Sequence, residues 1–395
     1  MLAVLALAAC QPKPPPPDRL TLTQGHFADL PGWSADALSP ALAAFQRSCQ
    51  HLTALADDVV IKPEDVGGTV RDWRDPCAAA SQIAAKDDAA ARLYFERWFM
   101  PYLAGNNGKP EGLFTGYYEP ELKGSRSRGG PYVVPLYGRP ADLVTVDLGL
   151  FREDWRGTNI AGRVRNGALR PYPTRGEIEA GALKGIKRGD GSPLELVWVD
   201  DPIDAFFLQI QGSGRVVLDD GSLMRVGYAA ANGQAYVPIG RELIRAGALT
   251  REDVSMPAIR AWLLAHPAEA PQMMDKDPSF VFFRPLPPPA SPDDGPPGAE
   301  GVALMPGRSL AVDRKFLPLG LPVWLDADDP VTSGVRLQRL MIAQDTGGAI
   351  RGPVRGDVFW GHGADAAERA GRMRSSGRYW ILLPRAVAER RAATS

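Results

Sequence analysis

The sequence predicts a mainly β protein with some helices, folded as two or three domains, and three observations carry that prediction. The chain has 395 residues, enough for a sizeable core. Gly 42 and Pro 37 together make about a fifth of it, where about an eighth is usual, so turns are frequent and long helical bundles are disfavoured. Its apolar runs are short, and six of them fall within about ninety residues near the C-terminus, a spacing that suits a small barrel. A net charge of -1, with 23% charged residues, lacks the basic excess that broad nucleic-acid binding needs.

Met1 to Ala9 is an unbroken apolar run, too short to span a bilayer. Leu7-Ala8-Ala9-Cys10 resembles a bacterial lipobox, so residues 1–9 are expected to be a signal peptide and Cys10 the lipidated first residue of the mature chain. No basic segment precedes the run, which places the expected true start a few codons upstream. Residues 10–17, rich in proline, read as a stiff spacer, and Gln11 after the Cys favours the outer membrane, with the protein on its periplasmic face. Cys49 and Cys77 then remain as a disulfide or as two buried thiols, both readings open. His26, His51, His266 and His362 are scattered and no CxxC occurs, so no metal or other cofactor is expected.

Helices are predicted at Pro40 to Leu55, at Ser81 to Phe99 and at Thr250 to His266, the last with Ser255 as cap and Pro257 in its first turn. Gly247 stops a shorter segment, Gly240 to Arg245. Strands are predicted at Tyr132 to Leu136, Leu194 to Val199 and Ala205 to Gln211, and a hairpin at Arg215 to Val226 that turns on Asp219-Asp220-Gly221. Arg284 to Gly298, with its proline runs and no core residues, reads as an exposed linker. Beyond it, Val302 to Leu304, Ser309 to Val312, Pro322 to Asp326, Arg336 to Asp345, Asp357 to Trp360 and Tyr379 to Leu383 supply the barrel strands.

Two carboxylates stand where glycines give the backbone freedom. The strand Leu340 to Gln344 delivers Asp345 to Gly347 and Gly348, where backbone N–H groups could fix a carboxylate. Twelve residues on, Asp357 opens the aromatic run Val358-Phe359-Trp360. A third, Asp313, follows Ser309-Leu310-Ala311-Val312. Each alone could equally cap a turn.

With their surroundings these aspartates resemble the three-aspartate domain, a double-psi β-barrel module. The whole chain resembles the membrane-bound lytic murein transglycosylase A family. The resemblance is carried in order by Gly112 to Pro120, Phe207 to Gly214, Tyr228 to Tyr236 with Ile239-Gly240, Pro278 to Arg284, Pro306 to Arg314 and Asp345 to Arg351. It implies a discontinuous barrel domain, residues 18–118 and 284–395, and an inserted smaller β-rich substrate-binding domain, residues 119–283, with the substrate groove between them. It implies a peptidoglycan lytic exotransglycosylase, a lyase that cuts the β-1,4 bond between N-acetylmuramic acid and N-acetylglucosamine and closes a 1,6-anhydromuramic ring. Whether cutting is endo or exo, and which peptide stems are preferred, stays open.

By motif position the acid/base falls on Asp357, with Asp345 as its supporting neighbour. One residue can serve because the substrate's own C6 hydroxyl is the nucleophile. An acid must hold its proton, and Val358 to Trp360 supply apolar surroundings that raise its pKa. Thr115, Tyr117 and Tyr118 offer hydroxyls and rings to sugars. Gln209 and Gln211, on one face of an extended Phe206 to Gln211, offer amides, and Gly212, Ser213 and Gly214 an open backbone. Asp313, Gly347 and Gly348 complete the expected binding set. Arg351 and Arg355 read as ligands for stem carboxylates or as solvated loop residues, and Trp360 as a sugar platform or a core residue. Asp277 replaces the family's Asn before Pro278-Ser279, which suits a turn cap.

Glycan strands are the expected partner, the protein a monomer, with cell-wall synthesis or division proteins as further candidates. Three other readings stand beside this one: a glycan hydrolase using Asp345 and Asp357 as a pair, a non-catalytic wall-binding lipoprotein, and a divalent-metal site on the three aspartates.

Overall fold

The first structured region is helical, and its core is aromatic. A computed structural model of the chain describes residues 16–155, 158–291 and 293–394, so the Cys10 lipobox and most of the proline spacer lie outside the described residues. Helix Ser39–Leu52 buries Leu42, Phe45 and Cys49 on one stripe, and Phe45 meets Trp73, Tyr94, Phe95 and Phe99 with ring centroids 5.6–6.2 Å apart. Helix Arg71–Ala80 is not foreseen from sequence because Pro76 lies inside it; the Tyr94 hydroxyl donates to the Pro76 carbonyl at 2.8 Å. The next helix, Asp88–Trp98, starts later than Ser81, since Asp87 is its cap and accepts from the Ala90 N–H. Cys49 and Cys77 form a disulfide that joins the first two of these helices.

In chain order the strands are β1 (Leu20–Gln24), β2 (Phe99–Asn106), β3 (Gly112–Glu119), β4 (Glu121–Ser125), β5 (Val134–Tyr137), β6 (Val144–Asp147), β7 (Asn159–Arg165), β8 (Ala168–Pro171), β9 (Glu195–Val199), β10 (Ser213–Leu218), β11 (Leu223–Ala231), β12 (Val281–Leu286), β13 (Ser309–Val312), β14 (Pro322–Asp328), β15 (Arg336–Asp345), β16 (Arg355–His362) and β17 (Arg374–Pro384). One sheet has the order β1-β2-β17-β14-β15-β13-β16-β3. Its last strand returns to β17, whose first residues pair β3 while its later ones pair β14 and β2, so six strands close a barrel. Val358, Trp360, Leu310, Val312 and Phe114 point into its core, which is continuous with the aromatic helical core. Trp360 is therefore a core residue and not a sugar platform.

A second sheet, β12-β11-β10-β4-β9-β5, and a small sheet, β6-β7-β8, come from the middle of the chain. The backbone passes from the barrel to the second sheet between Glu119 and Glu121. The hairpin of β10 and β11 turns at Asp219 to Ser222 as expected.

Three expectations fail here. Ala205 to Gln211 is not a strand: Pro202–Gln211 is a helix, capped by Asp201, whose carboxylate accepts from Ile203 and Asp204, and ended by Gly212 at φ +79°. It is buried on two sides, Ala205 and Leu208 in one cluster and Ile203, Phe206 and Phe207 in another, so its apolar pattern shows no helical stripe. The tract 284–298 is not all exposed, because Asp294, Gly295 and Pro296 are buried and Arg47 bonds Asp294 at 2.6 Å. Val302 to Leu304 is a loop with a single bridge, Pro297 to Ala303, rather than a barrel strand. The sequence reading also omits helix Gly363–Arg372, which lies against β3 and β16.

Candidate active site

In the barrel the two candidate aspartates share one neighbour. Asp345 ends β15 and Asp357 lies near the start of β16, and each pairs with Ala311 of the intervening β13. Two strand spacings, about 10 Å, therefore separate their backbones. Beyond Asp357 the register continues to Thr115 on β3. Thr115 and Tyr117 share one face of β3, opposite the core residue Phe114, and from that face each reaches a carboxylate. The Thr115 hydroxyl donates to Asp357 Oδ1 at 2.6 Å, and the Tyr117 hydroxyl donates to Asp345 Oδ2 at 2.8 Å. Both acids thus stand on the outer face of the barrel wall.

Their surroundings differ. Protein atoms crowd the half-buried Asp357 and strip water from it, which raises its pKa to about 6 against the opposing effects of Thr115 and Arg355; the charge of Asp345 adds to the rise. Only Oδ1 accepts from Thr115, so Oδ2 can carry the proton. Asp345 is also pushed up by burial, yet both of its oxygens accept, from Tyr117 and from the Ala299 N–H at 2.9 Å. Burial holds the Tyr117 phenol well above its ordinary range, so it stays a donor. Tyr117 also lies on Phe359, with centroids 5.2 Å apart.

Arg355, read from sequence as a stem ligand or a loop residue, is not a loop residue. It sits in β16, donates to Thr115 Oγ1 at 2.8 Å and to backbone carbonyls, and reaches Asp357 through that hydroxyl. A direct guanidinium pair would hold Asp357 ionised, whereas a neutral relay leaves it protonatable. Its place two residues before Asp357, on the same strand face, was the signal that alternation offers. Arg351 is 70% exposed, 4.0 Å from Asp313. The Ala299 amide has no side-chain signature.

The other expected binding residues scatter. Tyr118 lies on the opposite face of β3 from Thr115, packed at the edge of the core, and with Phe207, Met256, Pro257 and Arg260 it lines a cavity of about 520 Å³. Gln211 spans from the Tyr118 N–H, which it accepts at 3.0 Å, to Met256. Gln209, expected beside it, is buried instead, and accepts from Arg175 at 3.0 Å and Val281. A helix turns residues two apart by about 200°, which is why the pair does not share a face. Gly212 serves as the helix stop with open space around it, whereas Ser213 is buried and Gly214 is packed so that a Cβ would meet Leu208 at 2.3 Å, so these last two offer no open backbone to a ligand. Asp313 is buried and accepts from the Lys315 and Gly352 amides, fixing the turn after β15 to β13. Gly347 and Gly348 do not adopt positive φ, and space is open around Gly348. Asp277 caps its turn through Val237 and Ser279 and faces the buried Arg175. No group of residues that could hold a metal ion occurs among the described residues.

The family model described as "MltA specific insert domain" matches residues 113–284, and that described as "3D domain" matches residues 308–383. The membrane-bound lytic murein transglycosylase A of Vibrio cholerae is 34% identical over 286 residues, 71% of this chain and 67% of that protein. A membrane-bound lytic murein transglycosylase of Agrobacterium tumefaciens superposes with a TM-score of 0.81 at 34% identity, covering 94% of this chain and 99% of that one. The Escherichia coli MltA structure with bound chitohexaose gives 0.66 at 26% identity, over 92% and 94% of the two chains. The chain belongs to the membrane-bound lytic murein transglycosylase A family.

Proposed function

We propose that this chain is a peptidoglycan lytic transglycosylase in which Asp357 is the single acid and base. The observation that carries the reading is a carboxyl with one oxygen held by Thr115 and a pKa raised to about 6, able to keep a proton in mildly acidic surroundings. Asp357 donates that proton to the glycosidic oxygen as positive charge builds at the anomeric carbon of the muramic residue. The ionised Asp357 then takes the proton of the C6 hydroxyl, which closes the 1,6-anhydro ring without water. Asp345, with both oxygens already accepting, faces the developing cation as a fixed negative charge.

The glycan is proposed to run over the outer face of β3, β13 and β16, in a groove between the barrel domain and the inserted domain, the barrel strand β3 ending at Glu119 and the second sheet reaching Leu286 at the end of β12. Chitohexaose on the Escherichia coli relative supports an oligosaccharide groove. Wild-type digests of sacculi in heavy-oxygen water are expected to release unlabelled anhydromuropeptides, and Asp357→Asn is expected to lose about 10²–10⁴-fold in turnover with glycan binding retained. A labelled reducing end would replace the transglycosylase by a hydrolase.

Relatives carry "membrane-bound" in their names, and among the described residues no helix is long and apolar enough to cross a membrane. We propose a lipid on Cys10 as the anchor, at the periplasmic face of the outer membrane. Cys10→Ala should then move the protein from the membrane to the soluble fraction.

A further inference from the structure

Beneath Asp345 lies a buried acid that the reaction does not use. The loop from Gly295 to Leu304 closes on itself through the Gly295 and Leu304 amides and is strapped to the end of β15. Two adjacent amides make the strap: the Ala299 N–H donates to Asp345 Oδ1 at 2.9 Å, and the Glu300 N–H donates to the Gln344 carbonyl at 3.1 Å. Gly298 allows the approach, since a Cβ there would lie 2.5 Å from that carbonyl. The Glu300 side chain turns inward and is 4% exposed. Its Oε2 meets the Ser48 hydroxyl at 2.6 Å. Ser48 in turn accepts from Gln344, whose amide oxygen accepts from Ser309. The other oxygen, Oε1, lies beside Gly320, buried and without a hydrogen-bond partner.

We propose that Glu300 is a positioning residue, which in its uncharged form anchors the loop that aims the Ala299 amide at Asp345. The inference rests on the reading of Asp345 given above. The charged groups on the surrounding elements are engaged elsewhere. Arg47, on the helix below, holds Asp294 and the Ala303 carbonyl; Asp345 is held by Tyr117 and Ala299; Asp313, before Gly320, is held by backbone amides and Arg351; and Lys315 lies over Phe316. A carboxylate with one donor and no facing cation is costly to bury. Burial accordingly pushes the Glu300 carboxyl up to about 7. The folded protein therefore holds this proton where the unfolded chain has released it, so stability falls as pH rises from the ordinary glutamate value to about 7. Above that, ionisation pulls the side chain toward water and takes the strap with it. Asp345 then loses one of its donors.

The test compares the full chain with Glu300→Gln, which keeps the shape and cannot ionise, and Glu300→Ala, which removes the anchor. The thermal midpoint of Glu300→Gln should gain on wild type as pH rises from 5 to 8. The ratio of its kcat to that of wild type should rise several-fold between pH 6 and 8, toward the loss seen without the anchor, as the uncharged wild-type fraction falls about tenfold. Glu300→Ala should lower kcat several-fold at pH 6 with little change in KM, and Glu300→Gln should restore it. A stability gap that opens while the kcat ratio stays flat overturns the positioning role, because a merely structural residue would give that result. A gap that never opens overturns the uncharged state. Full activity in Asp345→Asn would instead sink the underlying reading, and the stability measurement would not be touched by it.

Discussion

Asp357 and Asp345 show how two identical side chains on one barrel wall acquire different surroundings. One has a single neutral donor and a pKa near 6; the other is held at both oxygens. The alkaline side of the pH profile should therefore report Asp357, with kcat/KM falling above about pH 6 as the acid loses its proton. Because the Asp345 charge contributes to the raised value, Asp345→Asn should move that limb toward lower pH, and measured profiles of the two proteins decide it. An unmoved limb would mean that Asp345 is uncharged in the resting enzyme. The sign for stability is opposite to that of a paired carboxylate: Asp357 holds its proton more tightly folded than unfolded, so Asp357→Asn should raise the thermal midpoint at pH 7 and leave it unchanged near pH 3. Both aspartates stood out in the sequence because glycines and an apolar strand surround them, but their roles came only from the family resemblance. Arg355 could have been read from alternation. Ala299 and Glu300 could not, since a backbone amide carries no residue type and a lone Glu in a proline-rich tract looks solvated.

The helix Pro202–Gln211 is the element on which sequence and structure part most sharply. Its signals were present, Asp201 before Pro202 and Gly212 after Gln211, but burial on two sides erased the amphipathic stripe that usually decides the matter. The consequence reaches function, because a helix turns Gln209 away from Gln211 and into the bonds of Arg175. That guanidinium is 2% exposed, stacked over Phe206 and Phe280, and held by the Asp277 and Ser279 carbonyls as well as by Gln209. Gln209→Ala leaves a buried cation one acceptor short. It should cost about 1–3 kcal/mol in denaturant unfolding, the penalty for an unmet buried hydrogen bond. A stable variant with impaired glycan binding would return Gln209 to the ligand surface.

At the scale of the whole molecule, the barrel and the second sheet are joined where β3 passes into β4, and charge marks the crossing. Glu119, the last residue of β3, is fully buried and accepts from Arg215 of β10 at 2.8 Å and Arg225 of β11 at 3.1 Å. Arg225 also donates to the Asp294 carbonyl, and Asp294 pairs with Arg47 on the first helix, so one chain of polar contacts runs from the second sheet to the helical layer under the active site. The hydrophobic patterning that made barrel strands readable contains no trace of this chain, because its members lie up to 247 residues apart and each alone looks like a surface charge. Glu119→Gln keeps the volume and removes the negative charge that the two arginines share at the crossing. Breaking a buried pair in this way typically costs about 3–5 kcal/mol. Because the cluster ties β3 to the second sheet, the loss should also be felt at Thr115 and Tyr117, four and two residues back on the same strand. The expected outcome is a lowered unfolding midpoint together with a reduced kcat, the reduction being partly recovered by a mutation to Met at Arg225 that removes one of the stranded cations. A Glu119→Gln protein as stable and as active as wild type would show that the charge of Glu119 does not hold the two sheets together.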